Sequence, residues 1–250
     1  MEPREYEAFF SVEADHWWFK GLRCTLMDVV KRLNLSTADR ILDAGCGTGM
    51  NLQTLRRLVS EHVIGFDLSP HAARFWPARA LRDMCRASVN EIPYRDDVFA
   101  AALCVTVLEG EAVDERAAIR ELCRVVRPGG HIIVVVSAYQ WLMDGMHDVA
   151  VHTNRRYTRR RLRELASLAP LQVVRSTYLF PSVFPAIAGW RLLRKVFDRY
   201  GKRTPRSDVG PVPSVLNAAL FRLVDFERSV LHNVNFPFGS SILAVLRKTV

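Results

Sequence analysis

Apolar positions three and four residues apart, Phe9 and Val12, then Leu22, Leu26, Val29, Val30 and Leu33, predict helices over residues 5–33, with Asn34 and Ser36 ending the run. From Arg40 the period changes. Short apolar runs near 40–44, 62–68, 83–88, 98–105 and 130–137 are separated by helical spacing near 50–60, 70–81 and 112–126. That alternation predicts a doubly wound α/β architecture, a mostly parallel sheet covered by helices on both faces. A helix over 158–168 and a strand over 171–178 continue it, and Ser240–Lys248 reads as the last strand. Residues 179–239 are left as a long insertion rich in proline, aromatic and basic residues. Within it Ile187, Trp190, Leu193, Val196, Phe197 and Tyr200 interleave with Arg191, Arg194, Lys195, Arg199, Lys202 and Arg203, the pattern of a basic amphipathic helix. Leu216, Leu220, Leu223, Val224, Val230 and Leu231 predict a second helix.

The junction Ile41-Leu42-Asp43-Ala44-Gly45-Cys46-Gly47-Thr48-Gly49-Met50 carries the first chemistry. Alternating glycines leaving a strand allow a sharp turn, a close approach of backbone to ligand, and N–H groups aimed at it. A second apolar strand ends in Asp67, about 20 residues beyond Gly45, the offset at which a carboxylate reaches ribose hydroxyls in doubly wound sheets. Together they indicate a nucleotide-like cofactor. The pattern is not the G-x-G-x-x-G of dinucleotide binding. It resembles the class I S-adenosylmethionine-dependent methyltransferases, type 11-like, whose first motif is an acid followed by G-x-G-x-G. Ser88 to Tyr94 resembles their adenine loop, Val98 to Glu109 their fourth strand and its loop, and Arg124 to Gly130 the turn before the fifth strand.

That resemblance implies a seven-stranded Rossmann-like sheet with an antiparallel last strand. It divides one domain into an N-terminal helical lid (1–37), a cofactor-binding core (38–178), a helical cap (179–239) and the last strand (240–250). It implies S-adenosylmethionine as cofactor: Gly45, Gly47 and Gly49 along the methionine and ribose, Asp43 on the ammonium directly or through water, and Asp67 on the ribose. Leu68 would lie on the adenine face, Ser88 and Val89 at its edge, and Cys104 and Val105 beside the methyl. The sequence departs from the family at Thr106 and Gly110, where relatives often carry an acid and a histidine. His16-Trp17-Trp18-Phe19 with Arg23 resembles a segment seen in a subset of these enzymes. It reads either as a lid, with Arg23 on the methionine carboxylate and the aromatic residues toward substrate, or as a plain amphipathic helix burying two tryptophans.

The segment after the fifth strand, where doubly wound sheets meet ligands, contains the acceptor-side candidates His152, Arg155, Arg156 and Tyr157. His152 has the ordinary pKa of a general base, or only positions the loop while Thr158 caps the next helix. The net charge of +9 favours an anionic partner, and its excess sits at 155–163 and 191–206, outside the core. The five cysteines, at 24, 46, 85, 104 and 123, show no C-x-x-C pair and no zinc-ligand spacing, and read as core residues. The acidic start and the lack of any run near ~20 apolar residues predict a cytoplasmic protein without a membrane span. If both cap helices expose apolar faces, the acceptor is a small hydrophobic or lipid-linked molecule, with an anionic membrane surface as candidate partner. RNA methylation gains from the charge but lacks a recognisable RNA module. A non-catalytic cofactor-binding scaffold is the third reading, motivated by residues 106 and 110.

Overall fold

The computed structural model describes residues 1–197 and 205–250, without the side chains of 196 and 197. Its centre is a seven-stranded sheet. β1 (Ile41–Ala44), wholly buried, pairs in parallel with β2 (Val63–Asp67) on one side and β4 (Phe99–Val105) on the other. β3 (Met84–Arg86) lies outside β2, and β5 (Val126–Ser137) outside β4. β7 (Ser241–Lys248) then runs antiparallel between β5 and β6 (Leu171–Leu179), giving the order β3-β2-β1-β4-β5-β7-β6.

Side-chain alternation divides the apolar strand residues between two cores. Leu42, Ala102, Cys104, Ile132 and Val134 face one side, under α5 (Glu115–Val125) and α7 (Arg159–Ala166). Ile41, Ala101, Leu103, Ile133 and Val135 face the other, under α2 (Trp17–Lys31), α3 (Met50–Leu58) and α9 (Ser214–Leu231). Asp114 caps α5 through the N–H groups of Arg116 and Ala117, and Thr158 caps α7 through that of Arg161, each cap contributing roughly 1 kcal/mol.

Three local expectations change. The apolar spacing over 70–81 gives only α4 (Pro70–Ala73) and a 3₁₀ turn at Pro77–Arg79, because each proline can begin a turn but not continue one. Strand β5 starts at Val126, before the Pro-Gly-Gly sequence. Val126 pairs with Phe99, the ladder resumes at Ala101 with His131, and Gly129 at φ 76° lies in the bulge between. The N-terminal segment is more than a lid: α1 (Pro3–Val12) lies outside, but Leu22, Leu26, Met27, Val29 and Val30 of α2 belong to the core. A Cβ on Gly21 would sit 2.4 Å from Val224 Cγ1, so glycine there lets α2 and α9 approach closely. In the cap, α8 spans Phe184–Phe197; the rest of the expected basic helix, with Arg199, Tyr200, Lys202 and Arg203, lies outside the described residues. No described helix is long and apolar enough to cross a membrane.

Candidate cofactor and acceptor site

A cavity of ≈ 800 Å³ opens at the carboxyl ends of β1, β2 and β4 and continues beneath the cap. Its cofactor half is shaped by the loop between β1 and α3. Gly45, Gly47 and Gly49 all have positive φ (77°, 54° and 89°), the left-handed region that favours glycine. A Cβ on Gly45 would collide with Val107 Cγ2 at 2.4 Å, whereas one on Gly47 would meet no protein atom within 4 Å and would project into open space. Gly47 therefore leaves backbone bare where a ligand can lie against it. Gly49 ends the turn against Leu81 and does not line the cavity.

Asp67, at the end of β2, holds this loop. Its Oδ2 accepts from the Gly47 N–H (2.9 Å) and its Oδ1 from that of Ser69 (2.9 Å). Burial raises its pKa, against the lowering effect of the Ser69 and Gly47 N–H groups. Leu68, Ser88, Val89 and Val105 line the same half, Leu68 half exposed. The bare glycine, the buried carboxylate and the apolar Leu68 and Val89 match the ribose, amino-acid and adenine parts of S-adenosylmethionine.

The N-terminal helices close this half from above. Glu13 Oε1 accepts from Thr48 Oγ1 and Arg79 Nη2, each at 2.5 Å, and Arg79 Nε donates to Thr48 O, so the glycine loop is tied to the end of α1. Both Glu13 and Arg79 are buried, and breaking such a pair costs ~3–5 kcal/mol. Arg23 lines the cavity while donating to the carbonyls of Glu13 (3.0 Å) and Ala14 (2.8 Å), which joins α2 to the preceding turn. His16 caps α2 by accepting from Trp18 N. Trp17 and Trp18 pack against Phe180 and line the cavity with His16. The aromatic segment lines the cavity while Trp17 and Trp18, partly buried, pack against the core.

The structure corrects several assignments. Asp43 is buried behind the loop and does not line the cavity, so it cannot meet an ammonium directly from there; burial and then the Asp67 charge push its pKa up to about 7. Cys104 faces the core beneath α5. Arg155 is drawn away to the carbonyl of Val113 (2.8 Å). Tyr157 is fully buried, its hydroxyl 2.9 Å from Leu108 O and 2.7 Å from Glu115 Oε2, and it positions the loop. His152, at φ 54°, turns its ring to Glu2 Oε1 (3.1 Å) and does not line the cavity, so the expected base is not brought to the acceptor half. Of the acceptor-side candidates after β5, Arg156 alone lines the cavity.

Other residues occupy the acceptor half. Glu109 is 2% exposed, with Oε1 accepting from the N–H and hydroxyl of Ser137 (both 3.1 Å) and Oε2 without a partner among the described residues. Burial raises its pKa to about 7. His147, in the short α6 (His147–Ala150), accepts from Asp208 N at Nδ1 (2.9 Å), and burial lowers its pKa to about 4, keeping it neutral. Ile187, Trp190 and Arg191 line the cavity from α8. Glu109 was visible in the sequence as the acid retained between the altered positions 106 and 110; Arg191 gave no such signal.

A parallel sheet with one antiparallel strand before its edge, a glycine loop after β1 and an acid at the end of β2 define the class I methyltransferase fold. Residues 42–134 match the family model of a methyltransferase domain. The demethylmenaquinone methyltransferase of Corynebacterium urealyticum is 31% identical over 122 residues, 48% of each chain. A tRNA (carboxymethyluridine(34)-5-O)-methyltransferase of Arabidopsis thaliana is 35% identical over 107 residues, 42% of this chain and 26% of that one. This chain therefore spans half or less of the length of these two relatives. The solved structure of a methyltransferase from Thermotoga maritima, described as a possible histamine N-methyltransferase, covers 98% of this chain and 95% of its own at 18% identity and a TM-score of 0.60. Residues 42–134 thus match a methyltransferase domain, and the fold around them is the one seen in the solved methyltransferase structure.

Proposed function

We propose that the protein transfers a methyl group from S-adenosylmethionine to a small hydrophobic or lipid-linked acceptor. One observation carries the acceptor class. Trp190 lines the cavity yet is 59% exposed, and exposed Leu192 and Leu193 follow it on α8. An apolar surface leading into an enclosed site suits a ligand that leaves an apolar phase. Lys195 and Arg222, also exposed, would favour an anionic surface.

When bound, the cofactor supplies an electrophilic methyl group on a sulfonium. Asp67 would accept from the ribose hydroxyls, releasing the Gly47 N–H toward the ligand. Leu68, Ser88 and Val89 would hold the adenine. Trp17, Trp18 and α1 exclude water, and alignment with water exclusion is most of what an in-line methyl displacement needs. If the acceptor must lose a proton, the Glu109 carboxyl, on a residue lining the cavity and with a pKa raised by burial to about 7, is the candidate to take it.

Calorimetry with S-adenosylmethionine, then labelled methyl transfer to demethylmenaquinol in detergent and to bulk tRNA, tests the reading. Micromolar cofactor binding with transfer only to the quinol supports it. Transfer only to tRNA would favour the RNA reading, which rests on the +9 charge and on the tRNA-modifying relative. Cofactor binding without transfer to any acceptor class would favour a scaffold. Co-sedimentation with phosphatidylglycerol vesicles, reduced by Trp190→Asp with Leu193→Asp, tests the membrane surface separately.

A further inference from the structure

Unpartnered buried polar atoms concentrate in one place. Among the described residues, seven buried side-chain nitrogen or oxygen atoms have no hydrogen-bond partner, and four of them, Glu109 Oε2, Arg156 Nε, Arg191 Nε and Ser240 Oγ, belong to residues lining the cavity. Glu109 is the acid already placed there; the other three are donors. Both arginines are more than nine-tenths buried. Each guanidinium is braced through its terminal nitrogens, and its buried Nε–H has no partner among the described residues. Arg156 Nη2 donates to Asp148 Oδ1 (2.6 Å) and Nη1 reaches Ala138 O (3.5 Å). Arg191 Nη1 donates to Leu142 O (3.1 Å) and lies 3.6 Å from Asp148 Oδ2, while Nη2 donates to Asp208 Oδ2 (3.1 Å). Arg194 binds the far sides of Asp144 and Asp208 (2.8 and 2.6 Å). Carboxylates that brace guanidinium groups from behind and leave Nε–H open prepare them for an oxyanion.

Resting on the reading of this half as the acceptor site, we infer that Arg156 and Arg191, with the Ser240 hydroxyl, bind a phosphate-type oxyanion on the acceptor itself. Its apolar chain would pass Ile187 and Trp190 to the exposed face of α8. Within the hydrophobic or lipid-linked class, the acceptor is then one that also carries an anionic group. Burial, and then the neighbouring Arg156, hold the Arg191 pKa below its ordinary value against Asp208, Asp148 and Asp144, and an oxyanion beside it would favour the charged guanidinium.

The test is titration of protein saturated with S-adenosylhomocysteine, which keeps the cofactor half filled, with n-octyl phosphate, n-octanol and inorganic phosphate. Octyl phosphate is expected to bind at least about tenfold more tightly than either other probe, and Arg191→Gln to reduce that preference to about threefold or less. Arg191→Lys, which keeps a charge against Asp148 and Asp208, guards against misfolding of the first variant and should retain part of the preference. Melting curves and S-adenosylhomocysteine affinity report whether each variant is folded. Equal binding of octanol and octyl phosphate would overturn the oxyanion site while leaving the apolar acceptor reading intact. Inorganic phosphate binding as tightly as octyl phosphate would overturn the acceptor's apolar chain. No binding of either octyl probe, with cofactor affinity normal, would overturn the acceptor reading beneath it.

Discussion

Gly47→Ala and Gly45→Ala make the same chemical change two residues apart, and the structure assigns them opposite consequences. Both sites have positive φ, which costs alanine ~1–2 kcal/mol, less the ~0.4–1 kcal/mol by which alanine restricts the unfolded chain. At Gly47 no protein atom lies within 4 Å of the added methyl, so the net loss is about 1 kcal/mol and the melting temperature falls by about 2–4 °C. The methyl enters the space where the cofactor would rest. S-adenosylmethionine affinity should fall at least about tenfold, equivalent to roughly 1.4 kcal/mol. At Gly45 the methyl meets Val107 Cγ2 at 2.4 Å, adding an overpacking cost of ~1–3 kcal/mol, and the melting temperature should drop by about 5–15 °C. Circular dichroism melts and calorimetric titration on both variants separate the effects. Gly47→Ala with unchanged cofactor affinity would refute the placement of the ligand against that backbone; Gly45→Ala melting no lower than Gly47→Ala would refute the steric argument.

Asp67→Ala should abolish measurable S-adenosylmethionine binding by calorimetry, because the one buried carboxylate at the end of β2 is lost; unchanged affinity would remove the ribose assignment. His152→Ala should leave cofactor affinity and turnover within about twofold of wild type, since His152 turns its ring to Glu2 and does not line the cavity; a selective collapse of turnover would restore it as base. Asp43 and Glu109 have folded pKa values raised to about 7, so the native state holds protons that the unfolded chain has already released. Their contribution to stability therefore falls from about pH 4 to about pH 7 and levels off above. Urea titrations across that range should show the decline, and Asp43→Asn and Glu109→Gln should each flatten part of it; parallel curves for all three proteins would contradict the raised values.

Most of the fold could be read because its signals are local. Strands β1, β2 and β4 are short apolar runs buried on both faces, and the helices between them carry one apolar stripe each, so periodicity alone separates them. The turn after β1 and the acid at the end of β2 were legible for the same reason: Gly45, Gly47 and Asp67 are set by backbone geometry and strand position. Expectations diverged where a side chain's direction depends on residues far along the chain. His152 was a reasonable base by its distance from β5, but a left-handed residue turns it outward while His147, five positions earlier, lies in the cavity wall. Glu109 becomes a buried acid with one free oxygen only because Ser137, at the end of β5, holds the other.

The distribution of charge bears on the choice between acceptors. The sequence places the basic excess at 155–163 and 191–206, which on its own suits a nucleic-acid backbone as well as a membrane. Among the described residues, several of these arginines turn inward or onto partners: Arg155 to Val113 O, Arg156 to Asp148, Arg160 to Glu164, Arg161 to Glu115, and Arg191 and Arg194 to Asp208. A phosphate backbone is bound through exposed cations, each releasing counterions. Arg156 and Arg191 are buried and can meet only a group small enough to enter the cavity. The same residues that raised the prospect of RNA therefore support an acceptor with one anionic group taken inside, with its apolar remainder lying toward Trp190 and the exposed face of α8.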